Sequence, residues 1–541
     1  MKILNSINQR KFLSFVLILS VIAIQDTNAQ RKKRKKKNNK TAQVVAPKPK
    51  PKKKEKSIAD LTKSSKKIEG LFTIFQDTVT GATKLLVKEE QFNKDYIYFA
   101  QIADGVTEAG NFRGSYKPSA VFHLKKYFNK IEFTAPNTNF YFDKNNPLSR
   151  ASEANTSIAT IASGKVLAHD KKTGEFLIDS DDLFLSEAFT RIKGPRFPGQ
   201  SPFAFSLGRF DKTKSKINEI KNYPENTNVK TEYVYSNPTV LNGGSEAVTD
   251  GRSVSIKVFH TFMNMPEDDY EARMDDARVG YFLTQTNDMT TTETVNYRDM
   301  IHRWKLVKKD SSAAISEPIT PITWWIENTT PETWRETIKE GVLAWNEAFE
   351  KAGFKNAMVV KIQPDNADWD AGDIRYNVLR WTSSPNPPFG GYGPSFVNPR
   401  TGEILGADIM LEFVHFTNRV FGDKLYDDAA SNMKLETIQE LKIKKFKEQN
   451  NFMFCSAGHI LHENMQLGST VLEASNASSL DMERMKKEGM KSLIMHEVGH
   501  TLGLNHNMKA SQLFSPEQLA DASFIKGKAL TGSVMDYAGI N

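Results

Sequence analysis

His496, Glu497, His500, Gly503 and His506 stand at the spacing HExxHxxGxxH. If residues 492–503 are helical, each residue turns by about 100°, so the two imidazoles four apart project within about 40° of each other, one turn apart. Both can reach one ion. Glu497 lies beside them on the rim, placed to take a proton from a water without closing the site. Gly503 permits the left-handed turn that ends a helix, and His506 then returns from a different direction as a third neutral donor. Three imidazoles leave a divalent ion its full charge, which makes a water in the remaining position acidic near neutral pH. That is the chemistry of zinc-assisted hydrolysis, with His496, His500 and His506 as ligands. Glu497 would be the general base that later returns its proton to the leaving group. Ile494, Val498 and Leu502 fall on the opposite side of the helix and predict a buried face.

The elements that must hold this helix are legible upstream. Thr330, Pro331 and Glu332 form a helix start, with a capping hydroxyl, a proline in the first turn and an acid at the positive end of the dipole. Trp334, Ile338, Val342, Trp345 and Phe349 make one apolar face, and Gly353 supplies the stop, so the spacing predicts one helix over 331–352. Strands are expected in MVVKI and DIRYNVLRW. GEILGADIMLEF predicts a half-buried strand, with Ile409, Leu411 and Phe413 on one face and Asp408, Met410 and Glu412 on the other. Residues 414–480 read as an irregular insertion with a charged helical segment around Leu435 to Lys447. Before Pro318 the character differs. LFTIF, KLLVK, YIYFAQI, KIEF, GKVLA, GEFLI, TEYVY and SVSIKVF are short aromatic and β-branched runs bounded by turn residues, which favours a β-rich region.

The fold class expected is therefore multidomain α+β: a β-rich region over 57–315, then an α/β domain over 316–541 with a mixed sheet and an active-site helix. The chain of 541 residues is long enough for both. Its 39% hydrophobic and 25% charged residues are ordinary for globular proteins and exclude a mainly disordered or multi-span membrane chain. Residues 1–29 have a signal peptide layout: Lys2, Arg10 and Lys11, an apolar run from Phe12 to Ile24, then small residues at Thr27 and Ala29. An extracytoplasmic location is expected, whether periplasmic, outer-surface or secreted. Against a total of +9, residues 31–56 carry +13 and the first thirty carry +2, which leaves −6 on 57–541. The basic charge belongs to a Lys/Pro-rich linker over 30–56 and not to the folded part, which argues against specific nucleic-acid binding. That segment reads as a solvated spacer that could also touch anionic envelope polymers or headgroups. Cys455 is the single cysteine, so no intrachain disulfide can form.

HEVGHTLGLNH followed by SVMDY resembles the metzincin clan of zinc endopeptidases. The resemblance implies that Met535 is the Met-turn methionine, an apolar base beneath the ligands, and that Tyr537 ligates zinc or stabilises the oxyanion. It further implies hydrolysis of a protein or peptide substrate held along an edge strand through Ala407 to Glu412. The wider layout is similar to large exported bacterial zinc-dependent metalloproteases whose β-rich upstream domains have no defined role. Without a cysteine upstream of the catalytic part, a thiolate latency switch of the matrixin type is excluded. Metzincins continue beyond the Met-turn, whereas this sequence stops at Asn541, so the resemblance implies a catalytic domain lacking its C-terminal part.

Weaker candidates are outweighed by plainer readings. Asp365, Asp368, Asp370 and Asp373 could offer oxygens to Ca2+, yet they lack an EF-hand pattern and read first as a solvated loop. His459 and His462 precede Glu463 in an order unlike HxxEH. His123, His169, His260 and His302 are scattered singly and are expected to be packed or surface residues. The rival to an enzyme is an envelope binding or scaffold protein whose zinc site is structural or inactive.

Overall fold

The structure, a computed structural model, describes residues 56–194, 204–267, 269–385, 391–412 and 457–537. The expected signal peptide, nearly all of the basic linker, Phe413, the segment Leu435 to Lys447 and Cys455 lie outside the described residues. Residues 55–541 form one compact unit. No described helix is long and apolar enough to cross a membrane.

Twelve strands between Ser65 and Asn264 build one sheet in which every strand pair is antiparallel. The four that matter most here are β1 (Tyr96–Asp104), β2 (Tyr116–Tyr127), β3 (Asn226–Ser236) and β4 (Ser253–Asn264). The sheet curls until its ends meet: the Leu71 N–H donates to Tyr223 O at 2.7 Å, and the Phe72 N–H to Thr227 Oγ1 at 3.0 Å. Strand β1 shows why this region cannot be a free-standing module. Its side chains alternate in the usual period of two. Tyr96, Tyr98, Ala100 and Ile102 point into the aromatic core of the curled sheet. Ile97 and Phe99 point the other way and pack on Ile374 and Phe396 of the downstream region. Both faces are buried, which is why YIYFAQI reads as an unbroken apolar run.

Inside the curled sheet His260 is fully buried, with Tyr98 Oη 2.7 Å from Nδ1 and Thr231 Oγ1 3.0 Å from Nε2. Burial pushes its pKa down to about 3. The unfolded chain takes up a proton below about pH 6.5 that the folded chain refuses until far lower, so this group's stability is complete above pH 6.5 and lost as pH falls towards 3. Between pH 7 and pH 5 the wild type should lose about 2 kcal/mol more folding stability than His260→Gln, measured by denaturant unfolding. Equal losses in the two proteins would contradict this.

Strands β5 (Leu283–Asp288) and β6 (Tyr297–Ile301) form a hairpin, joined by the short strand Phe140–Tyr141 in a three-stranded sheet. Next come β7 (Ile322–Ile326), α1 (Glu332–Leu343), α2 (Trp345–Lys351), β8 (Met358–Ile362) and β9 (Asn377–Thr382). Then follow β10 (Gly391–Tyr392), β11 (Ser395–Val397), β12 (Ile404–Glu412), α3 (Ala457–Ala474) and α4 (Ser479–Thr501). The second large sheet has the order β8-β7-β9-β12-β10, with β11 also on β12. The first four are mutually parallel, and β10 and β11 run antiparallel at the end, so the sheet is mixed. Ile338 and Val342 of α1 and Ile494 and Val498 of α4 are buried in its core with Trp324, Leu379 and Ile409.

Three local expectations need correction. The helix expected over 331–352 is divided at Ala344, and Thr330 does not cap it: the N-cap is Pro331, with no side-chain cap bond. The active-site helix starts earlier than Ser492, at a capping box between Ser478 and Asp481. Strand β12 is neither half-buried nor at the edge. It lies between β9 and the β10–β11 pair, and Asp408, Met410 and Glu412 are as buried as Ile409 and Leu411. The face read as solvated is covered by the upstream region and by hydrogen bonds. Met410 packs with Phe112, and Glu412 accepts from Thr382 Oγ1 at 2.7 Å and from the Ser384 N–H at 3.0 Å.

Candidate metal centre

Helix α4 carries His496, Glu497 and His500, which are 3%, 0% and 6% exposed. Gly503 has φ +96°, a left-handed conformation that terminates the helix and sends the chain back towards it. His506 thereby joins the other two, and one ligand atom from each imidazole lies within 4.8 Å of the others. His500 Nε2 and His506 Nε2 are 3.0 Å apart. Two nitrogens bound to zinc at about 2.0–2.1 Å in a tetrahedral set stand roughly 3.3 Å apart, so the spacing fits such an ion.

Backbone carbonyls fix two of the rings. His496 Nδ1 lies 2.7 Å from Val534 O, and His500 Nδ1 lies 2.9 Å from Leu504 O. A carbonyl oxygen only accepts, so Nδ1 carries the hydrogen and Nε2 keeps the lone pair. Burial pushes His496 down to about 4 and His500 to about 3, and lowers His506 as well. At neutral pH all three are uncharged, the form that ligates a metal. Met535, 2% exposed, lies directly beneath: a Cβ added at Gly499, between the two helix histidines, would overlap its Sδ. Tyr537 Oη is 3.0 Å from His506 Nε2.

Two further parts of the site carry no local signal strong enough to be read in advance. The first is strand β10. A Cβ on Gly391 would overlap the Glu497 carboxylate, and one on Gly393 would stand 2.7 Å from Glu497 O, so this backbone passes in contact with the glutamate. The run Gly390, Gly391, Gly393 beside a strand was the available clue to a close backbone approach. Tyr392 between them is buried, and its pKa is pushed up to about 12, mainly by burial and further by the Glu497 charge.

The second comes from some 220 residues upstream of the motif. Residues 280–282 run antiparallel to the metal loop: Asn505 N–H donates to Gly280 O at 3.0 Å, Phe282 N–H to Gly503 O at 2.7 Å, and Tyr281 bridges Leu504. The Phe282 ring lies 5.5 Å from that of His500, and Trp304 Nε1 donates to Thr501 O at 2.8 Å. The β5–β6 hairpin is therefore a brace for the loop that presents His506.

The other candidates do not join this cluster. His123 pairs with Asp95, His169 stacks on Phe176, and His302 hydrogen bonds Thr284 at 3.1 Å. His462 is buried in α3 beside Gln466. The calcium reading gains no support: Asp370 is paired with Lys230 at 2.9 Å and Asp373 with Arg375 at 2.7 Å. Among the described residues the three histidines are the single grouping able to hold a metal.

Residues 478–541 match the model of a family described as Met-zincin, a span that takes in α4, the metal loop and Tyr537. Residues 114–309 match a family described as a domain of unknown function, DUF5117, and that span contains the bracing hairpin. No curated protein and no solved structure matches the chain. The Met-zincin match and the three-histidine cluster together point to a zinc metallopeptidase.

Proposed function

We propose that this chain is an exported zinc endopeptidase in which His496, His500 and His506 hold the metal and Glu497 is the general base. The observation that carries this reading is the convergence of three neutral imidazoles beside a buried glutamate, directly under the last strand of a sheet. Zinc, when bound, supplies the Lewis acidity that polarises a peptide carbonyl and makes a water reactive.

The chain's own residues supply the rest. Glu497 takes the proton of the attacking water and hands it to the departing amine, so the peptide nitrogen leaves neutral. Its burial beneath β10 keeps the carboxylate aimed at one place. Tyr537 stands at the metal side of His506, where its hydroxyl can donate to the oxygen of the carbonyl under attack. Strands β10 and β11 end the sheet antiparallel to β12, and an extended polypeptide adds there by main-chain pairing. Met535 acts as the apolar platform of a Met-turn, holding the helix histidines from below. Export rests on the signal layout of residues 1–29.

Incubating the full chain with a proteome-derived peptide library and sequencing the new termini tests the proposal. Internal cuts that cease with a chelator are expected. A zinc-loaded protein that cuts nothing would instead favour a binding or scaffold role with an inert site. Tyr537→Phe is expected to lower kcat by about 10²-fold with zinc content and KM little changed. An unchanged kcat would remove the hydroxyl from the mechanism.

A further inference from the structure

A cavity of about 340 Å³ opens between the curled sheet and the downstream sheet. Tyr116 and Lys117 of β2 line one side, Gln285 and His302 of the bracing hairpin another, and Ser395 and Phe396 of β11 the third. Its size falls in the range of ligand pockets. Phe396 fixes the wall, stacked on Tyr116 at 4.1 Å and edge-on to Phe99 at 4.9 Å.

The position of the cavity follows from β10 and β11. Gly391 and Gly393 touch Glu497, and Ser395 to Val397 continue the same end of the sheet, two to four residues further along. At about 3.3 Å per residue the cavity begins roughly 7–13 Å from the glutamate. A polypeptide paired along this edge would cross it within four residues of the bond being cut. His302 ties the cavity to the centre from the other side. Its N–H donates to Phe282 O at 2.9 Å, and its own carbonyl lies where a Cβ on Gly503 would be.

The lining is chemically one-sided. Lys117 is its only charged group, and no aspartate or glutamate lines it. The Lys117 ammonium donates to Asn111 Oδ1 at 2.7 Å, a neutral acceptor, and forms no ion pair among the described residues. An ammonium has three donors and a single positive charge, so a carboxylate entering the cavity would meet an uncompensated cation in a partly desolvated setting. Burial lowers the Lys117 pKa to about 8, which leaves it charged at neutral pH.

We propose that this cavity, built jointly by the upstream region and β11, receives an acidic side chain of the polypeptide substrate and pairs it with Lys117. The proposal rests on the peptidase reading and gives the upstream region a role in substrate selection.

The test takes peptides that the zinc-loaded full chain cuts and places Glu, Gln or Lys in turn at each of four positions on both sides of the cut. At one position two to four residues from the bond, kcat/KM should be about tenfold higher with Glu than with Gln. Lys117→Met should remove that preference, and Lys117→Glu should turn it towards Lys, with one zinc per chain retained as the sign of an intact fold. Reversal by the opposite charge separates direct pairing from general damage. Equal handling of Glu, Gln and Lys by the wild type, or a Glu preference that survives both substitutions, overturns the cavity assignment and leaves the peptidase reading intact. If no peptide is cut, the peptidase reading fails, and fluorescence anisotropy of the same labelled peptides on the zinc-loaded Glu497→Gln chain still decides the cavity. Tighter binding of the Glu series, lost on adding Lys117→Glu, supports it, and indifference to charge overturns it.

Discussion

Glu497→Gln should lower kcat by about 10³-fold while the chain still carries one zinc and melts as the wild type does. The amide has nearly the shape of the carboxylate, so the backbone of Gly391 and Gly393 that rests on this side chain keeps its place. What is lost is proton affinity: an amide neither accepts the water's proton nor returns one to the amine. Glu497 is itself no member of the metal-binding group, so metal content is the control that separates this loss from damage to the centre. Steady-state kinetics on a cleaved library peptide, with elemental analysis of the same sample, reads both. Activity above about a tenth of wild type would place the base elsewhere, and loss of zinc would make Glu497 a ligand.

Gly503→Ala should have the next largest effect, and through a different cause. At φ +96° a side chain is strained by about 1–2 kcal/mol in any setting. Here the added carbon would also overlap His302 O, a backbone atom locked by the hairpin and unable to swing aside. Relief requires the metal loop to move away from residues 280–282, which carries His506 with it. Zinc affinity is expected to fall by about 10²-fold, as when a group that orients a ligand is lost. The thermal midpoint of the metal-free chain should fall too. Competition with a chromogenic chelator measures the first and a melting curve the second. Wild-type affinity in Gly503→Ala would mean that the turn is not what positions the third histidine.

The site was legible where it is local. His496, Glu497, His500, Gly503 and His506 lie within eleven residues on one helix and its terminating turn, so the 3.6-residue period alone brings them together. The apolar face Ile494, Val498 and Leu502 was readable for the same reason. Strand β12 misled because alternation reveals which residues differ in polarity and not what covers them. Asp408 and Glu412 look like a wet face, yet the upstream region and polar neighbours such as Thr382 and Ser384 bury them. The true edge, Gly391 to Val397, was hidden because two short strands rich in glycine give little periodic signal. Least legible was the brace. Gly280 and Phe282 meet the metal loop through backbone hydrogen bonds, which leave no mark on residue type. A boundary read near residue 315 from composition therefore separates residues that share one centre.

The central claim, that three histidines hold a zinc on which peptide hydrolysis depends, is tested most directly by stripping the full chain of metal and titrating zinc back, with bound metal and peptide cleavage followed in the same samples. Cleavage should be absent at the start, rise in proportion to bound zinc and level off at one zinc per chain, and His500→Ala should neither bind the ion nor cut. Zinc bound at one per chain with no cleavage at any point, or cleavage that persists in the stripped chain, would contradict the account.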